Sequence, residues 1–389
     1  MDTQREIDIA IGHVDQFCDE HITEEKVKQW CVSRGVPSAV YRAFFESELG
    51  HYALPPALGG YEGPFIVRTM LIVRLMRRAG AMLPFHEDMN AIALLSAMDE
   101  DVQREIAHQL LERDGRASFS QAFSEGGIQA DSKTMTTHVT QTGDGIYLDG
   151  EKTFVANGQF ATNTLVLTHD PVHGAEDGNR SLWLVPLSAP GVNTYPLNTV
   201  GQEMMAPAGI AFDHVKLDPS WRVETNGRLS AILQRQFALG RIYVCAASLG
   251  LAYAAMDDAL ERCATYKTRG DYLGSVPEVQ EMIASMAVKV RSMGGLVKRA
   301  AVSVSSDETI DEQRYHCSLM KYYVPKAATE VASDALQIFG GLGYTDVTRV
   351  SRIWRECRGN QLAQGADEMM IRGIARYLVN DSATAERKS

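Results

Sequence analysis

Residues 334–376 read DALQIFGGLGYTDVTRVSRIWRECRGNQLAQGADEMMIRGIAR. The Gly-Gly-Leu-Gly at 340–343 invites a dinucleotide-binding reading, but it lacks the G-x-G-x-x-G spacing and no strand precedes it. Outward from this stretch the chain does not alternate strand and helix, as a doubly wound nucleotide fold would. Upstream, from Glu224 onward, apolar residues recur with a 3.6 period, clearest at Ile283, Met286, Ala287, Val290, Met293, Gly294 and Val297. The spacing predicts a helical bundle over 226–380.

Further upstream the texture changes. Met135, Thr137 and Val139 lead to the turn Gly143-Asp144-Gly145, and Ile146, Leu148, Thr153 and Val155 follow with period-two character. More strand-like runs lie at Thr164–Thr168, Ser181–Leu187 and Gly209–Leu217, separated by polar turns such as Gly174–Gly178. A compact antiparallel β domain over 116–225 is expected. Before it, residues 1–115 carry helical spacing, as at Val67, Met70, Leu71 and Leu75 after the break at Leu54–Pro64. The small, polar and charged residues 381–389 are expected to fray as a flexible tail.

Composition narrows the function classes. At 389 residues with 45% hydrophobic and 22% charged side chains, the chain falls among ordinary folded proteins rather than disordered or fibrous ones. A formal charge of -11 repels phosphate backbones and anionic lipid, which argues against a nucleic-acid partner. Cys18, Cys31, Cys245, Cys263, Cys317 and Cys357 form no CxxC pair, so reduced thiols and no metal site are expected. The N-terminus MDTQREIDIA has no apolar signal core, and no run approaches 18 uncharged apolar residues. No membrane span and a cytoplasmic location follow as expectations.

The opening stretch resembles the C-terminal signature of acyl-CoA dehydrogenases, a Q-x-x-G-G-x-G-Y segment followed by R-D-x-R and then E-G-T-x-E/Q. Two further stretches are similar to the family's motifs, in the same order. FSEGGIQAD at Phe123–Asp131 resembles T-E-P-x-A-G-S-D, and KTFVANG at Lys152–Gly158 resembles K-x-W-I-T-N-G. The resemblance covers nearly the whole chain and implies a helical N-terminal domain, a middle β domain and a C-terminal four-helix bundle. It also implies FAD between the β domain and the bundle, held in part by the neighbouring subunit of a homotetramer.

Carried over by position, the resemblance sets the flavin ring against Gln121, Phe123, Ser124, Phe154, Val155 and Ala156. Ala156 stands where the family has a threonine hydrogen-bonded near flavin N5, a bond alanine cannot make; such bonds tune a flavin's reactivity. Gln337, Gly340 and Gly341 resemble the segment that cradles the partner subunit's FAD, where glycine lets backbone N–H groups approach phosphate. Gln280 and Glu368 match other FAD contacts. The basic residue for the diphosphate is Arg269 or Lys267, within Tyr266-Lys267-Thr268-Arg269-Gly270; either could instead be a solvated helix-end charge. Arg241 matches an arginine at the mouth of the CoA channel, with a buried salt-bridge arginine as the alternative. Glu87 lies in Phe85–Asn90, which maps near the acyl pocket, where it could bind a polar acyl tail or be an ordinary exposed acid.

The family's general base is a glutamate, and the matching residue here is Gln364. An amide lacks the basicity to take an α-proton. The alternative seat used by some members, on an earlier bundle helix, corresponds to Gly240. Glu87, Asp88, Asp367 and Glu368 are the acids left to weigh as a base, and none matches a known seat. Within the family, RVSRIWRECRGNQLAQGADEM is most similar to crotonobetainyl-CoA reductase, which also lacks the glutamate after the arginine segment but keeps an acid at the earlier seat. The resemblance therefore implies an FAD oxidoreductase acting on the Cα–Cβ bond of an acyl or enoyl thioester, CoA- or carrier-bound, with reduction open as a direction and electron-transfer flavoprotein as electron partner. The alternatives are a flavin monooxygenase or oxidase on the same fold, and a non-catalytic subunit completing a partner's FAD site.

Overall fold

The computed structural model describes residues 2–54, 59–92, 101, 118–126 and 135–388. By packing, the chain divides into two compact units, one of Met1–Val27, Gly63–Met82 and Phe237–Ser389, the other of Lys28–Glu62 and Leu83–Gln236. The N-terminal helical stretch is thus shared between the two.

The first unit is helical. Helix α1 (Thr3–His21) is capped by the Asp2 side chain accepting from Gln4 N–H, and its Ile7, Ala10, Val14 and Phe17 form one buried stripe. Helix α2 (Glu24–Ser33) passes from the first unit to the other after Val27, and α3 (Ser38–Glu46) and α4 (Glu48–Ala53) belong to the other; within the first unit α1 packs on α5 (Phe65–Ala79), and Arg74 makes a bidentate pair with Asp15 at 2.7 and 2.9 Å. Helix α6 (Phe85–Ile92) belongs to the other unit.

The long helix α7 (Leu229–Thr265) returns to the first unit from Phe237 onward. A Cβ on Gly250 would sit 2.4 Å from the Val73 carbonyl oxygen, so glycine sets how closely α7 approaches α5. Among the described residues, α7 is the one helix long and apolar enough to cross a membrane; 83% of its apolar window is buried inside the protein, the pattern of a core helix. Helix α8 (Pro277–Ser303) starts with proline at its first turn, and α9 (Ile310–Phe339) starts from a Thr309–Glu312 capping box. Both α10 (Val350–Leu362) and α11 (Asp367–Lys388) pack on α9. The backbone stays helical through Lys388, where fraying was expected from residue 381; Ala383, Ala385, Glu386, Arg387 and Lys388 are all good helix formers.

The second unit is built on a seven-stranded sheet ordered β1-β4-β2-β3-β7-β6, with β5 paired to β4. The strands are β1 (Phe119–Ala122), β2 (His138–Thr142), β3 (Gly145–Val155), β4 (Asn163–His169), β5 (Arg180–Pro186), β6 (Val192–Pro196) and β7 (Ala208–Leu217). The sheet is mixed, which corrects the purely antiparallel expectation: β1 pairs β4 in parallel, Phe119 opposite Asn163, and β2 meets β4 in a parallel bridge, His138 with His169. The β2–β3 hairpin is inserted between β1 and β4 along the chain, so β4 runs back alongside β1 in the same direction. Leu148, Val166, Trp183, Ile210 and Phe212 lie at the centre of the sheet's core. All six cysteines are free, five of them buried.

Candidate flavin and thioester site

In the second unit, the described parts of the two stretches that resemble the family's middle-domain motifs lie side by side. Thr153 N–H donates to the Ser124 carbonyl at 2.9 Å, and the fully buried Lys152 ammonium reaches Glu125 Oε1 at 2.9 Å and the Phe123 carbonyl at 3.4 Å. Glu125 also accepts from Thr136 N–H (2.8 Å), the Thr136 hydroxyl (2.7 Å) and Thr137 N–H (3.0 Å). Burial alone would raise its pKa; the Thr136 amide, the Lys152 ammonium, the Thr136 hydroxyl and the Thr137 amide together hold it down, at about 2. This ionic tie was absent from the sequence reading, although both partners stand inside its motifs. Gly127–Asp131 of the FSEGGIQAD stretch lie outside the described residues.

The pairing of β3 with β7 is irregular between Lys152 and Val155, and within this irregularity Phe154 takes φ 54°. A left-handed backbone at a bulky aromatic is strained and needs a surrounding that enforces it. The consequence is a Phe154 ring left 73% exposed, while Val155 is buried and Ala156 half-buried. Ser124 is also exposed, Phe123 buried and Gln121 half-buried. An exposed aromatic beside an exposed hydroxyl fits a planar heterocycle resting there. Glu87 is not an exposed acid: it is buried on α6, and its Oε2 accepts from Gln121 Nε2 at 3.2 Å. Gln121 Oε1 in turn accepts from Gln236 Nε2 at 3.0 Å. Gln236, missed in the sequence, follows Gln234 and Arg235 on α7, so no local signal marks it as buried.

In the first unit, the two base seats prove to be neighbours. A Cβ built on Gly240 would meet Gln364 Oε1 at 2.8 Å and Nε2 at 3.0 Å, so the Gln364 carboxamide lies directly over Gly240. Gln364 and Gly365 form the turn between α10 and α11 at φ 57° and 109°, and Arg241 Nε donates to the Gln364 carbonyl at 3.2 Å. Burial lowers the Arg241 pKa. One residue here escaped the sequence reading: Lys321, fully buried on α9, donates to the Gln361 carbonyl at 3.2 Å, and burial lowers its pKa as well. Asp367 accepts from Gln361 Nε2 at 3.1 Å, while Glu368 is exposed at the start of α11.

The remaining positions line an open surface of this unit. Gln337 is exposed, Gly340 has φ 62°, and a Cβ on Gly340 or Gly341 would touch nothing within 4 Å. Packing does not demand Gly341, and the space over both glycines is free for a phosphate. Lys267 and Arg269 are exposed on a hairpin of β8 (Lys267–Thr268) and β9 (Asp271–Tyr272), with Arg269 and Gly270 at positive φ in its turn. Gln280 donates to the Gly274 carbonyl at 3.0 Å. Two arginines that precede the R-D-x-R match at 355–358 serve the fold: Arg349 makes a bidentate pair with Asp258 at 2.7 and 2.8 Å, and Arg352 one with Glu24 at 2.8 and 3.0 Å.

Helices, a mixed sheet and helices in this order, with the exposed Phe154 in one unit and the open Gly340–Gly341 turn in the other, are compatible with a flavin-dependent acyl-thioester oxidoreductase. The chain belongs to the acyl-CoA dehydrogenase family: residues 120–215 match the model of the family's middle domain and residues 230–379 that of its C-terminal domain. It is 33% identical to the acyl-CoA dehydrogenase of Slackia heliotrinireducens, with a TM-score of 0.85 and 98% of each chain covered. It is 28% identical over 377 residues, 97% of each chain, to the probable acyl-CoA dehydrogenase YdiO of Escherichia coli K12. Butyryl-CoA dehydrogenase of Megasphaera elsdenii shares the fold at 20% identity and a TM-score of 0.85, covering 96% of this chain and 98% of its own. The cofactor is FAD, and the family's chemistry is FAD-dependent oxidoreduction of acyl-CoA.

Proposed function

We propose that this protein works on the Cα–Cβ bond of a CoA or carrier-bound thioester in the reductive direction, converting an enoyl to an acyl group. The observation that carries this reading is the contact of Gln364 with Gly240, which leaves an amide and no carboxylate at the place of both family bases. FAD supplies hydride chemistry at Cβ. Oxidation would also need a base for the α-proton, and an amide does not fill that role. Reduction takes its Cα proton from water and releases hydroxide; oxidation by the same path would need that hydroxide as its base, which is scarce at neutral pH.

The Gln364 amide can orient a thioester carbonyl by donating a hydrogen bond, and Arg241 fixes the turn that carries it. Arg241 also meets the pantetheine or phosphate side of the ester in this reading. Gln121, Phe123, Ser124, Phe154, Val155 and Ala156 hold the flavin ring; Gln280, Gln337, Gly340, Gly341, Glu368 and either Lys267 or Arg269 hold the rest of FAD. Homotetramer assembly is supported by the exposure of Leu342 (39%) and Tyr344 (80%) beside the open glycines, and of Met369 and Ile371 on α11 (each 48%). A crotonobetainyl-CoA reductase-like subgroup, electron-transfer flavoprotein as partner and a cytoplasmic location belong to the same reading.

The test is anaerobic addition of acyl-CoA and enoyl-CoA esters to oxidised and reduced protein, with the flavin spectrum recorded. Reoxidation of reduced protein by an enoyl-CoA supports the proposal. Bleaching of the oxidised form by saturated acyl-CoA, without reoxidation by enoyl-CoA, overturns its direction.

A further inference from the structure

Helix α10 ends at Leu362, just before Gln364, and the last carbonyls of a helix have no donor within it. Ala363 N–H reaches back to the Gly359 carbonyl at 3.2 Å. Beyond that bond, two cations from other helices take over. Lys321 of α9 donates to the Gln361 carbonyl and Arg241 of α7 to the Gln364 carbonyl, each at 3.2 Å. A cation at a helix C-terminus is favourable, so the Lys321 bond gains from charge as well as from geometry.

The backbone between these two bonds is strained. Gln364 takes φ 57° and Gly365 φ 109°. A left-handed backbone is unfavourable for glutamine and persists only where the surroundings enforce it. This same conformation carries the Gln364 carboxamide over Gly240, its Oε1 2.8 Å from where a Cβ would stand. The bonds at 361 and 364 bracket the turn that puts it there.

Lys321 is a costly means to that end if stability alone is at stake. It is fully buried, burial lowers its pKa, and among the described residues no carboxylate is hydrogen-bonded to it. Asp367, an acid near enough for its charge to act on the ammonium, gives Oδ2 to Gln361 Nε2 at 3.1 Å, while its Oδ1 is buried without a partner. A buried cation with a single carbonyl for partner stabilises a fold poorly, and an apolar side chain of like volume often does as well or better. The ammonium supplies what an apolar side chain could not: a fixed place for residue 361 and for the turn that follows.

We infer that Lys321 is a positioning residue, which acts through the Gln361 carbonyl to hold the 363–365 turn so that the Gln364 carboxamide stands over Gly240. Its consequence for turnover rests on the reading above, in which that amide orients the thioester carbonyl. The placement of the amide does not depend on that reading.

The experiment has two arms, both on FAD-loaded protein. In the first, crystal structures of wild type and Lys321→Met are compared; the expected result is a Gln364 carboxamide that has left its place over Gly240, and an amide in its wild-type place overturns the inference. In the second, photoreduced wild type, Lys321→Met, Gln364→Ala and the double variant are mixed anaerobically with crotonyl-CoA, and the limiting rate of flavin reoxidation is read. Lys321→Met should lower that rate by about tenfold or more, the scale of a misplaced group, with the ester's affinity little changed. In the Gln364→Ala background it should cost nothing further, because its effect passes through that amide. A loss that adds in full to that of Gln364→Ala, or no loss at all, overturns the inference. If crotonyl-CoA does not reoxidise wild type, the reductive reading fails while the crystal structures still decide the placement. Lys321→Gln takes the place of Lys321→Met if the latter does not fold, and loss of the fold in both shows a role in stability and overturns the inference.

Discussion

Glu125→Ala should be among the most damaging single changes in the sheet unit. The substitution strands the Lys152 ammonium, which is fully buried and whose other described contact is the Phe123 carbonyl at 3.4 Å. Breaking a buried ion pair from one side typically costs about 3–5 kcal/mol. The acid side gives a similar figure: a pKa lowered from 4.5 to about 2 corresponds to roughly 3 kcal/mol of stability at neutral pH. Because the folded pKa is depressed, this stability is fully present above pH 4.5 or so and is lost as pH falls toward 2. At ~2–4 °C per kcal/mol for a unit of this size, Glu125→Ala should lower the melting temperature by roughly 6–20 °C. Lys152→Met should do less harm, since Glu125 keeps three donors from Thr136 and Thr137. The double change Glu125→Leu with Lys152→Met should recover most of the loss and flatten the acid limb of the stability profile. Circular-dichroism melts of the four proteins from pH 7 to pH 3 test this. A Glu125→Ala shift below about 3 °C, or a double variant as unstable as Glu125→Ala, would refute the reasoning.

Four further outcomes are expected. Gln364→Glu should raise oxidation of saturated acyl-CoA by a factor on the order of 10²–10⁴, read as anaerobic flavin bleaching; robust wild-type oxidation untouched by Gln364→Ala would show that another residue is the base. Phe154→Ala should weaken FAD retention on gel filtration while leaving the melt of the FAD-free protein within about 1 kcal/mol, because the exposed ring contributes little to the core. Gly250→Ala should destabilise by roughly 1–3 kcal/mol in urea titration, since its Cβ would press on the Val73 backbone. Arg241→Ala should weaken CoA-ester binding in calorimetry without loss of fold, and unchanged affinity would remove Arg241 from the CoA path.

Period and turn chemistry made much of this architecture readable in advance. The stripe of α8 buries Met286, Val290, Met293 and Val297, and the Gly143-Asp144-Gly145 turn joins β2 to β3. Strand direction was not readable, because alternation looks the same in parallel and antiparallel neighbours and β1 finds β4 some forty residues on. Strands β1 and β6 were passed over; Phe119–Ala122 is only four residues long, and Val192–Pro196 is mostly exposed and ends in proline. At the site, motif positions pointed to Gln364 and Gly240 but not to their contact, since a glycine leaves no mark of what lies over it. The strained backbone of Phe154 is likewise silent in the sequence, where an aromatic in a strand reads as ordinary packing. Lys152 with Glu125, Lys321 and Gln236 depend on partners distant in the chain, and such pairings leave no local periodicity.

The overlap of Gly240 and Gln364 also limits how this pocket can drift. The atoms that a side chain at 240 would displace are the flexible end of Gln364, so the backbone need not move; the amide would simply turn away. The two positions therefore share one volume, reached from helix α7 and from the turn between α10 and α11, with room for a single functional group. A carboxylate acquired at either position evicts its neighbour, and two acquired together would crowd like charges into one space. Substitutions at 240 and 364 should thus be inherited as alternatives, each setting the effect of the other, and their combined effect should depart from the sum of the parts.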